Sequence, residues 1–397
     1  MKIYLDRNVY EEAIDRISYL FDEFDNVVVS FSGGKDSTVT LELALEVARR
    51  KNRLPLDVCF LDQEAEWSCV IDYISKVMHR EEINPMWIQA PIFLPNSLSQ
   101  EQPFLLAWEP DKQWMRDKDP IAITDIILEK ETELPKHGYW YTYFNKILDY
   151  FYPDSTAAFL AGMRAEETPK RAAGPLTLQT YKHITWGKKQ NPKKGHYSFY
   201  PIYDWSISDV WKYIHDTKSD YCKIYDEYYR YGLPVRDMRV SNLNHEVAVK
   251  TLFYLHEIEA DTWERLQKRL KGINQAKHIK ENEMLATKVL PPMFSHWREY
   301  RDYLTENLIT KEAHRIVFRK RWARMDPIYD EMRNPDQLYR MQIKSILVND
   351  LEFAKLTSYL ESPPIICYRD WKKGRLGNRA RKVSNLVQIK KEYLHAG

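Results

Sequence analysis

Residues Val27 to Ser37 read Val-Val-Val-Ser-Phe-Ser-Gly-Gly-Lys-Asp-Ser, and no other stretch constrains the fold as tightly. A β-branched run stops at a Ser-Gly-Gly turn and gives way to helical spacing (Val39, Leu41, Leu43, Ala44, Val47) up to about Arg50. Amide groups at such a turn point outward and can hold an anion, helped by the positive end of the helix dipole. Gly33 and Gly34 let the backbone approach a phosphate with no Cβ in the way. Lys35 adds a mobile positive charge, Ser32 and Ser37 add hydroxyl donors, and Asp36 can orient the lysine or hold a metal ion. The segment is not a Walker A loop: Val29 stands where that motif needs its first glycine, and Asp36 stands where it needs Ser or Thr. The plainer alternative is a strand–turn–helix corner that binds nothing.

The flanking pattern extends the corner into an α/β fold. Apolar residues at helical spacing over 8–24 predict a helix before the strand at 27–31. Leu56 to Leu61 reads as a second buried strand ending in Asp62-Gln63-Glu64, a helix follows from about Trp67 to His79, and Met86 to Gln89 reads as a third strand. This order implies a doubly wound parallel sheet, whose ligands sit beyond the carboxyl ends of the strands. Residues 91–150, rich in Pro and aromatics, read as an insertion covering the site, and Ala157 to Gly162 as another strand. Residues 172–200 read as a mobile basic loop. From about Asn242 onward the pattern is mostly helical, with basic stretches at Arg265–Lys271, His314–Arg324 and Arg369–Lys382. The expected domains are 1–240 for nucleotide binding and 241–397 for a basic helical domain.

Further constellations follow. Gly162-Met163-Arg164-Ala165-Glu166-Glu167-Thr168-Pro169-Lys170-Arg171 leaves the strand at 157–161. Arg164 and Arg171 could converge on phosphate or sulfate oxygens through planar, bidentate contacts, with Glu167 holding one arginine and Thr168 adding a hydroxyl. A solvated Arg/Glu turn is the alternative. Pro201 to Ile214 contains Trp205-Ser206-Ile207-Ser208-Asp209-Val210-Trp211, in which Ser206 and Asp209 make a capping box for a helix carrying Val210, Trp211 and Ile214 inward. Asp62, Glu64 and Glu66 form an acidic cluster suited to Mg²⁺ or ribose hydroxyls, or else a charged strand end. His183 and His196 lie in the basic segment, where either could be a general base or simply solvated.

These motifs resemble the adenine-nucleotide α-hydrolase superfamily, which holds N-type ATP pyrophosphatases and phosphoadenosine phosphosulfate (PAPS) reductases. The Ser-Gly-Gly-Lys-Asp-Ser run matches its pyrophosphate loop. Residues 162–171 are similar to the Gly-x-Arg-x-x-Glu-Ser-x-x-Arg signature of the PAPS reductases, with Thr168 for Ser, and 201–211 to their Pro-x-x-x-Trp-x-x-x-Asp-Val-Trp stretch. The resemblance implies that Ser32, Gly33, Gly34, Lys35, Asp36, Ser37, Gly162, Glu167 and Thr168 bind nucleotide. It assigns catalytic charges to Lys35, Arg164 and Arg171, and a metal to Asp36 and Asp62. The family often has Asp-Thr-Gly or Asp-Thr-Glu where this chain has Asp62-Gln63-Glu64. The paired cysteines of iron–sulfur members and the Glu-Cys-Gly-x-His tail of the thiol reductases are missing, so a thiol-dependent reductase and an iron–sulfur cluster are not expected. With Met238-Arg239-Val240-Ser241-Asn242-Leu243-Asn244-His245-Glu246, a polar stretch that could also simply cap a helix, the chain looks like the cysteine-free subgroup of IbrA and YbdN. Members of that subgroup tend to be encoded beside a ParB-like protein.

Composition sets the remaining bounds. The four cysteines (Cys59, Cys69, Cys222, Cys367) form neither a disulfide framework nor a metal pair, and read as reduced, mostly buried thiols. No apolar run reaches membrane-spanning length and no signal pattern opens the chain, so a cytoplasmic protein is expected. Residues 1–130 carry a net charge of −10 and the remainder +12, which suggests a polyanionic partner such as nucleic acid for the back half, though solvated helix faces give the same bias. The expected function is cleavage of the α–β bond of ATP with Mg²⁺, by hydrolysis or adenylyl transfer, on a nucleic-acid or protein acceptor. The alternative is a non-catalytic sensor of ATP, adenosine phosphosulfate (APS) or PAPS: a co-activator-type regulator with a ParB-like partner.

Overall fold

The computed structural model describes residues 6–96, 102, 104–128, 140–168, 171–172, 179–245, 248–270, 273, 289–329, 336–348 and 350–351. These fall into two compact units, one drawn from Met1–Leu94, Leu106–Leu243 and Tyr254–Arg269, the other from Pro95–Leu105, Asn244–Phe253 and Leu270–Gly397. Pro169, Lys170, Cys367 and the basic stretch Arg369–Lys382 lie outside the described residues.

The first unit is built on a six-stranded sheet. Its strands are β1 (Asn26–Ser30), β2 (Leu56–Leu61), β3 (Ile83–Ile88), β4 (Ala157–Ala161), β5 (Gly187–Asn191) and β6 (His196–Phe199), in the order β3-β2-β1-β4-β6-β5. All pairs are parallel except β5 with β6. Val27, Val28 and Val29 of β1 are buried, as a central strand covered on both faces requires. Helices α1 (Val9–Glu23) and α2 (Lys35–Arg50) pack against β1, and α3 (Ser68–Met78) against β3. The remaining helices of this unit are α4 (Trp140–Phe151), α5 (Ile207–Thr217), α6 (Ile224–Arg230) and α7 (Ala260–Arg269). The α5 capping box forms as its sequence predicts, with Ser206 Oγ accepting from the Asp209 amide and Asp209 accepting from the Ser206 amide. Val210 and Ile214 are buried, and Trp211 is half-buried.

The expected mobile loop over 172–200 is corrected. Residues 187–199 form the β5–β6 hairpin, whose inner strand pairs with β4 in register Ala157↔His196 to Leu160↔Phe199. Of the lysines that made the segment look solvated, Lys188 and Lys189 sit on the edge strand, where charge discourages further pairing, and Lys193 and Lys194 in the turn that follows it. His196 is no base for chemistry: it is fully buried, with Nε2 3.0 Å from the Tyr152 carbonyl and Nδ1 3.1 Å from Asp149. His183 is exposed and stacks edge-on against Tyr19.

The second unit includes helices α8 (Trp297–Asn307), α9 (Glu312–Tyr329) and α10 (Asp336–Leu347), around Trp297, Leu304, Phe318, Trp322, Tyr339 and Ile343. Arg301, 2% exposed, crosses this core. It meets Asp326 through two hydrogen bonds of 2.6 and 2.9 Å and Gln342 through one of 2.7 Å, between the Trp322 and Tyr339 rings. No helix among the described residues is long and apolar enough to cross a membrane.

Candidate functional site

The strand order places β1 and β4 side by side at the point where the sheet reverses its direction of winding, the position at which parallel α/β sheets bind ligands. The loop leaving β1 carries Ser32–Ser37 and the loop leaving β4 carries Gly162–Arg171, so the two motifs, far apart in the chain, meet there. Gly162 is what allows the meeting. A Cβ on it would lie 2.6 Å from the Asp36 carbonyl carbon and oxygen and 2.8 Å from the Ser37 nitrogen. Gly33 sits at φ +72°, a conformation glycine adopts without strain, and a Cβ there would meet Ile74 at 3.0 Å. Gly34 differs from expectation. It caps α2 in an extended conformation, and a Cβ on it would meet nothing closer than 3.4 Å. Its glycine is therefore not demanded by the neighbouring protein.

Inside the loop, Ser37 Oγ accepts from the Ser32 amide (3.2 Å), donates to the Gly34 carbonyl (2.9 Å) and contacts Ser32 Oγ (3.1 Å). Ser37 is buried and shapes the turn, whereas Ser32 is exposed at its rim. Lys35 is not the mobile cation expected from sequence: it is 4% exposed, and its Nζ donates to Asp36 Oδ2 at 2.9 Å. Arg164, also 4% exposed, donates from Nε to Asp36 Oδ1 at 2.5 Å and from Nη1 to Glu166 at 3.1 Å. One carboxylate thus holds two buried cations. Glu167 likewise lies between two cations, here half-exposed ones: it accepts from the Arg164 amide (3.3 Å), pairs with Arg171 and lies 3.9 Å from Arg239. Thr168 Oγ1 accepts from the Arg171 amide at 3.2 Å. Around the loop, Lys35, Arg164, Arg171 and Arg239 face Asp36, Glu166 and Glu167, a positive surplus suited to an anion.

The acidic cluster after β2 is used differently. Asp62 is fully buried, and its carboxylate accepts from Arg116 (2.5 and 2.6 Å), Trp87 Nε1 (2.8 Å), Gln89 Nε2 (2.9 Å) and the Glu64 amide (2.9 Å). Glu64, fully buried at φ +66°, accepts from Arg269 (2.6 and 3.1 Å) and from the Trp108 amide (2.8 Å). Residues 108–123 of the expected covering segment do fold back here, through Trp108, Arg116 and an Ile123 bridge to β3. The metal expectation at Asp36 and Asp62 does not fit this arrangement. Both carboxylates already carry cationic partners, and no group of three metal-ligating side chains occurs among the described residues. Glu66 is buried with Oε2 unpartnered; burial first, and the Asp62 charge second, push its carboxyl up to about 8. Burial pushes the Cys59 thiol up to about 12, and the Cys69 and Cys222 thiols face each other.

A model of the phosphoadenosine phosphosulfate reductase domain matches residues 26–231, more than half of the chain and all of the sheet just described. The chain belongs to this reductase-domain family. The PAPS reductase domain is followed by a match to a domain of unknown function (DUF3440) over residues 232–325. The YbdN protein of Escherichia coli is 31% identical over 329 residues, covering 79% of this chain and 78% of YbdN. The MJ0066 protein of Methanocaldococcus jannaschii is 25% identical over 221 residues, 55% of this chain and 38% of that protein. Among solved structures, FMN adenylyltransferase of Candida glabrata with FAD and inorganic pyrophosphate overlaps with a TM-score of 0.33 at 14% identity. That overlap covers 57% of this chain and 63% of the adenylyltransferase, less than two thirds of its length. PAPS reductase from Candida auris, in a phosphate complex, gives a TM-score of 0.30 at 11% identity, over 57% of this chain and 94% of that one.

Within the PAPS reductase domain, the structure brings Ser32–Ser37, Gly162, Arg164, Glu167, Thr168 and Arg171 into one locality and leaves Asp62 in a separate buried network. Sequence reasoning missed Tyr225 as a member of the site. Its hydroxyl accepts from the Lys35 amide at 3.0 Å, and its ring lies 5.5 Å from Lys35 Nζ. It also left out Arg239, although that residue stands in the polar stretch 238–246. Tyr225 carries no local signal, because α6 and the pyrophosphate loop are 190 residues apart.

Proposed function

We propose that the chain binds an adenine nucleotide with its pyrophosphate on Ser32–Ser37, and that it cleaves the α–β phosphate bond of ATP. The observation that carries this reading is the doubled cation arrangement: Lys35 and Arg164 on Asp36, Arg171 and Arg239 on Glu167, at the switch point of the sheet. Four cations against the three carboxylates Asp36, Glu166 and Glu167 leave positive charge for phosphate oxygens to satisfy. In this reading Ser32, Gly33, Gly34, Lys35 and Ser37 cradle the phosphates, and Gly162 lets the Arg164 loop close on them. Glu167 and Thr168 hold Arg171 in place. An acceptor oxygen attacks the α-phosphorus, the bond from that phosphorus to the bridging oxygen breaks, and pyrophosphate leaves with the negative charge. Lys35, Arg164 and Arg171 offset that charge as it develops. The side chains present offer no preformed cation cage, so Mg²⁺ would arrive on the phosphates themselves.

In the same reading residues 1–240 are the nucleotide-binding domain and 241–397 the basic helical one, although Glu259 and α7, through Arg269, belong to the first unit. A nucleic-acid acceptor for the basic half would be met by Lys320 and Arg324 on the exposed face of α9. Arg269, Arg315 and Arg319 are held by carboxylates of the protein. A ParB-like protein is the second partner class.

The test is calorimetric titration with ATP and with PAPS in the presence of Mg²⁺, alongside a pyrophosphate-release assay. ATP binding with release supports the reading, and Lys35→Ala should abolish release while leaving the fold intact by circular dichroism. Normal turnover by Lys35→Ala would sink the assignment. Nucleotide binding without turnover by the intact chain would replace it with a sensor of ATP, APS or PAPS.

A further inference from the structure

The Tyr225 hydroxyl stands at the most sensitive point of the loop. The first amides of a helix lack intrahelical partners and are the groups that grip an anion. Here the amide of Lys35, the first residue of α2, donates to the Tyr225 oxygen at 3.0 Å. A phenol has two lone pairs and one proton. With one lone pair turned toward the Lys35 amide, the proton is directed away from that amide, and among the described residues no acceptor receives it. The oxygen lies 3.6 Å from the position a Cβ would take on half-exposed Gly34, at the open rim of the loop.

The rest of the residue is built to hold that proton in place. Tyr225 is 3% exposed, and its ring packs edge-on against Trp211 (5.3 Å) and Tyr228 (6.4 Å). Trp211 belongs to the α5 segment that sequence analysis read as structural, so that helix reaches the loop through Tyr225. Burial, chiefly, pushes the phenol well above its ordinary value, which keeps the proton on at neutral pH. A hydroxyl that accepts from a helix-terminal amide is itself polarised into a better donor.

We propose that Tyr225 is a phosphate-positioning residue: its O–H donates to an oxygen of the pyrophosphate group bound on Ser32–Ser37, passing on the pull of the Lys35 amide that it covers. This rests on the pyrophosphate reading of the loop. It differs from a purely structural cap, which would occupy the amide and contribute nothing to ligand binding.

The experiment measures inorganic pyrophosphate, ATP and adenosine binding by calorimetry to the full chain and to Tyr225→Phe, with melting temperatures recorded for both. A hydrogen bond to a charged oxygen predicts a roughly ten- to hundred-fold loss of pyrophosphate and ATP affinity, with adenosine binding unchanged. Equal affinities for pyrophosphate in a folded Tyr225→Phe would overturn the assignment while leaving the pyrophosphate reading intact. A wild-type chain that binds neither pyrophosphate nor ATP would overturn both. Should Tyr225→Phe fail to fold, 3-fluorotyrosine installed at position 225 keeps the hydroxyl. Its ¹⁹F resonance should shift on saturation with pyrophosphate and not with adenosine, and a resonance indifferent to pyrophosphate refutes the contact.

Discussion

Replacing Glu66 with glutamine should stabilise the protein increasingly as the pH rises from about 5 to 8. Glu66 is 7% exposed, and its Oε2 has no hydrogen-bond partner. Burial, with the nearby Asp62 charge, raises its carboxyl from 4.5 to about 8, against a smaller opposing pull from Arg116. In the unfolded chain the proton leaves near the ordinary value, whereas the folded chain keeps it until about pH 8. The stability associated with the protonated carboxyl is therefore complete below the unfolded value and is lost as the pH climbs to the folded one. Each unit of separation is worth about 1.4 kcal/mol, so the whole window amounts to at most about 5 kcal/mol. Glutamine fills the same space and does not titrate. The difference in unfolding free energy between Glu66→Gln and wild type should then grow by up to about 1.4 kcal/mol per pH unit across the window and level off above it. Urea unfolding at pH 5, 6, 7, 8 and 9, with the slope of free energy against denaturant held common, reads this directly. Titrating groups that do not interact with Glu66 cancel in the difference. The value at pH 5 separately reports the cost of placing an amide there. A difference that stays flat from pH 5 to 8, or one that moves in favour of the wild type, would refute a carboxyl kept protonated by burial.

Two further perturbations test the site and the helical unit. Gly162→Ala places a methyl against the Asp36 backbone at 2.6 Å, where no flexible side chain can yield. It should cost about 1–3 kcal/mol and weaken pyrophosphate binding, and an unchanged melting temperature would show that the two loops do not approach as described. Arg301→Met leaves Asp326 and Gln342 facing a thioether inside the α8–α10 core. It should cost at most about 3–5 kcal/mol by chemical denaturation, less to the extent that Arg298, 3.3 Å from Asp326, keeps that carboxylate paired, with Arg301→Met/Asp326→Leu recovering a part. No recovery in the double variant would mean that the loss came from packing against Trp322 and Tyr339 rather than from an abandoned charge.

Local pattern carried the sheet and the loop. The β-branched run at 27–29, the glycine turn and the apolar spacing of α2 are properties of neighbouring residues, so β1, α2, β2 and α3 could be placed within a few residues from sequence. The capping box at Ser206 and Asp209 is likewise local, because its partners are three residues apart. The β5–β6 hairpin was not legible. Its residues are mostly polar and basic, and only the pairing of His196–Phe199 with β4 makes that segment a strand. The fates of the charged residues were also decided in three dimensions. From the sequence Asp62 and Glu64 read as part of an acidic cluster suited to Mg²⁺ or ribose hydroxyls, or as a charged strand end, and Arg269 as part of a basic stretch, yet folding pairs Glu64 with Arg269 and Asp62 with Arg116, because a buried charge must find its counter-charge wherever the chain returns. The same rule fixed Lys35 and Arg164 on Asp36. Residue types and spacing determined that a glycine-rich strand–turn–helix corner exists. The tertiary structure decided which cations face it, and it alone brought Tyr225 to the Lys35 amide, since a contact across 190 residues leaves no trace in local periodicity.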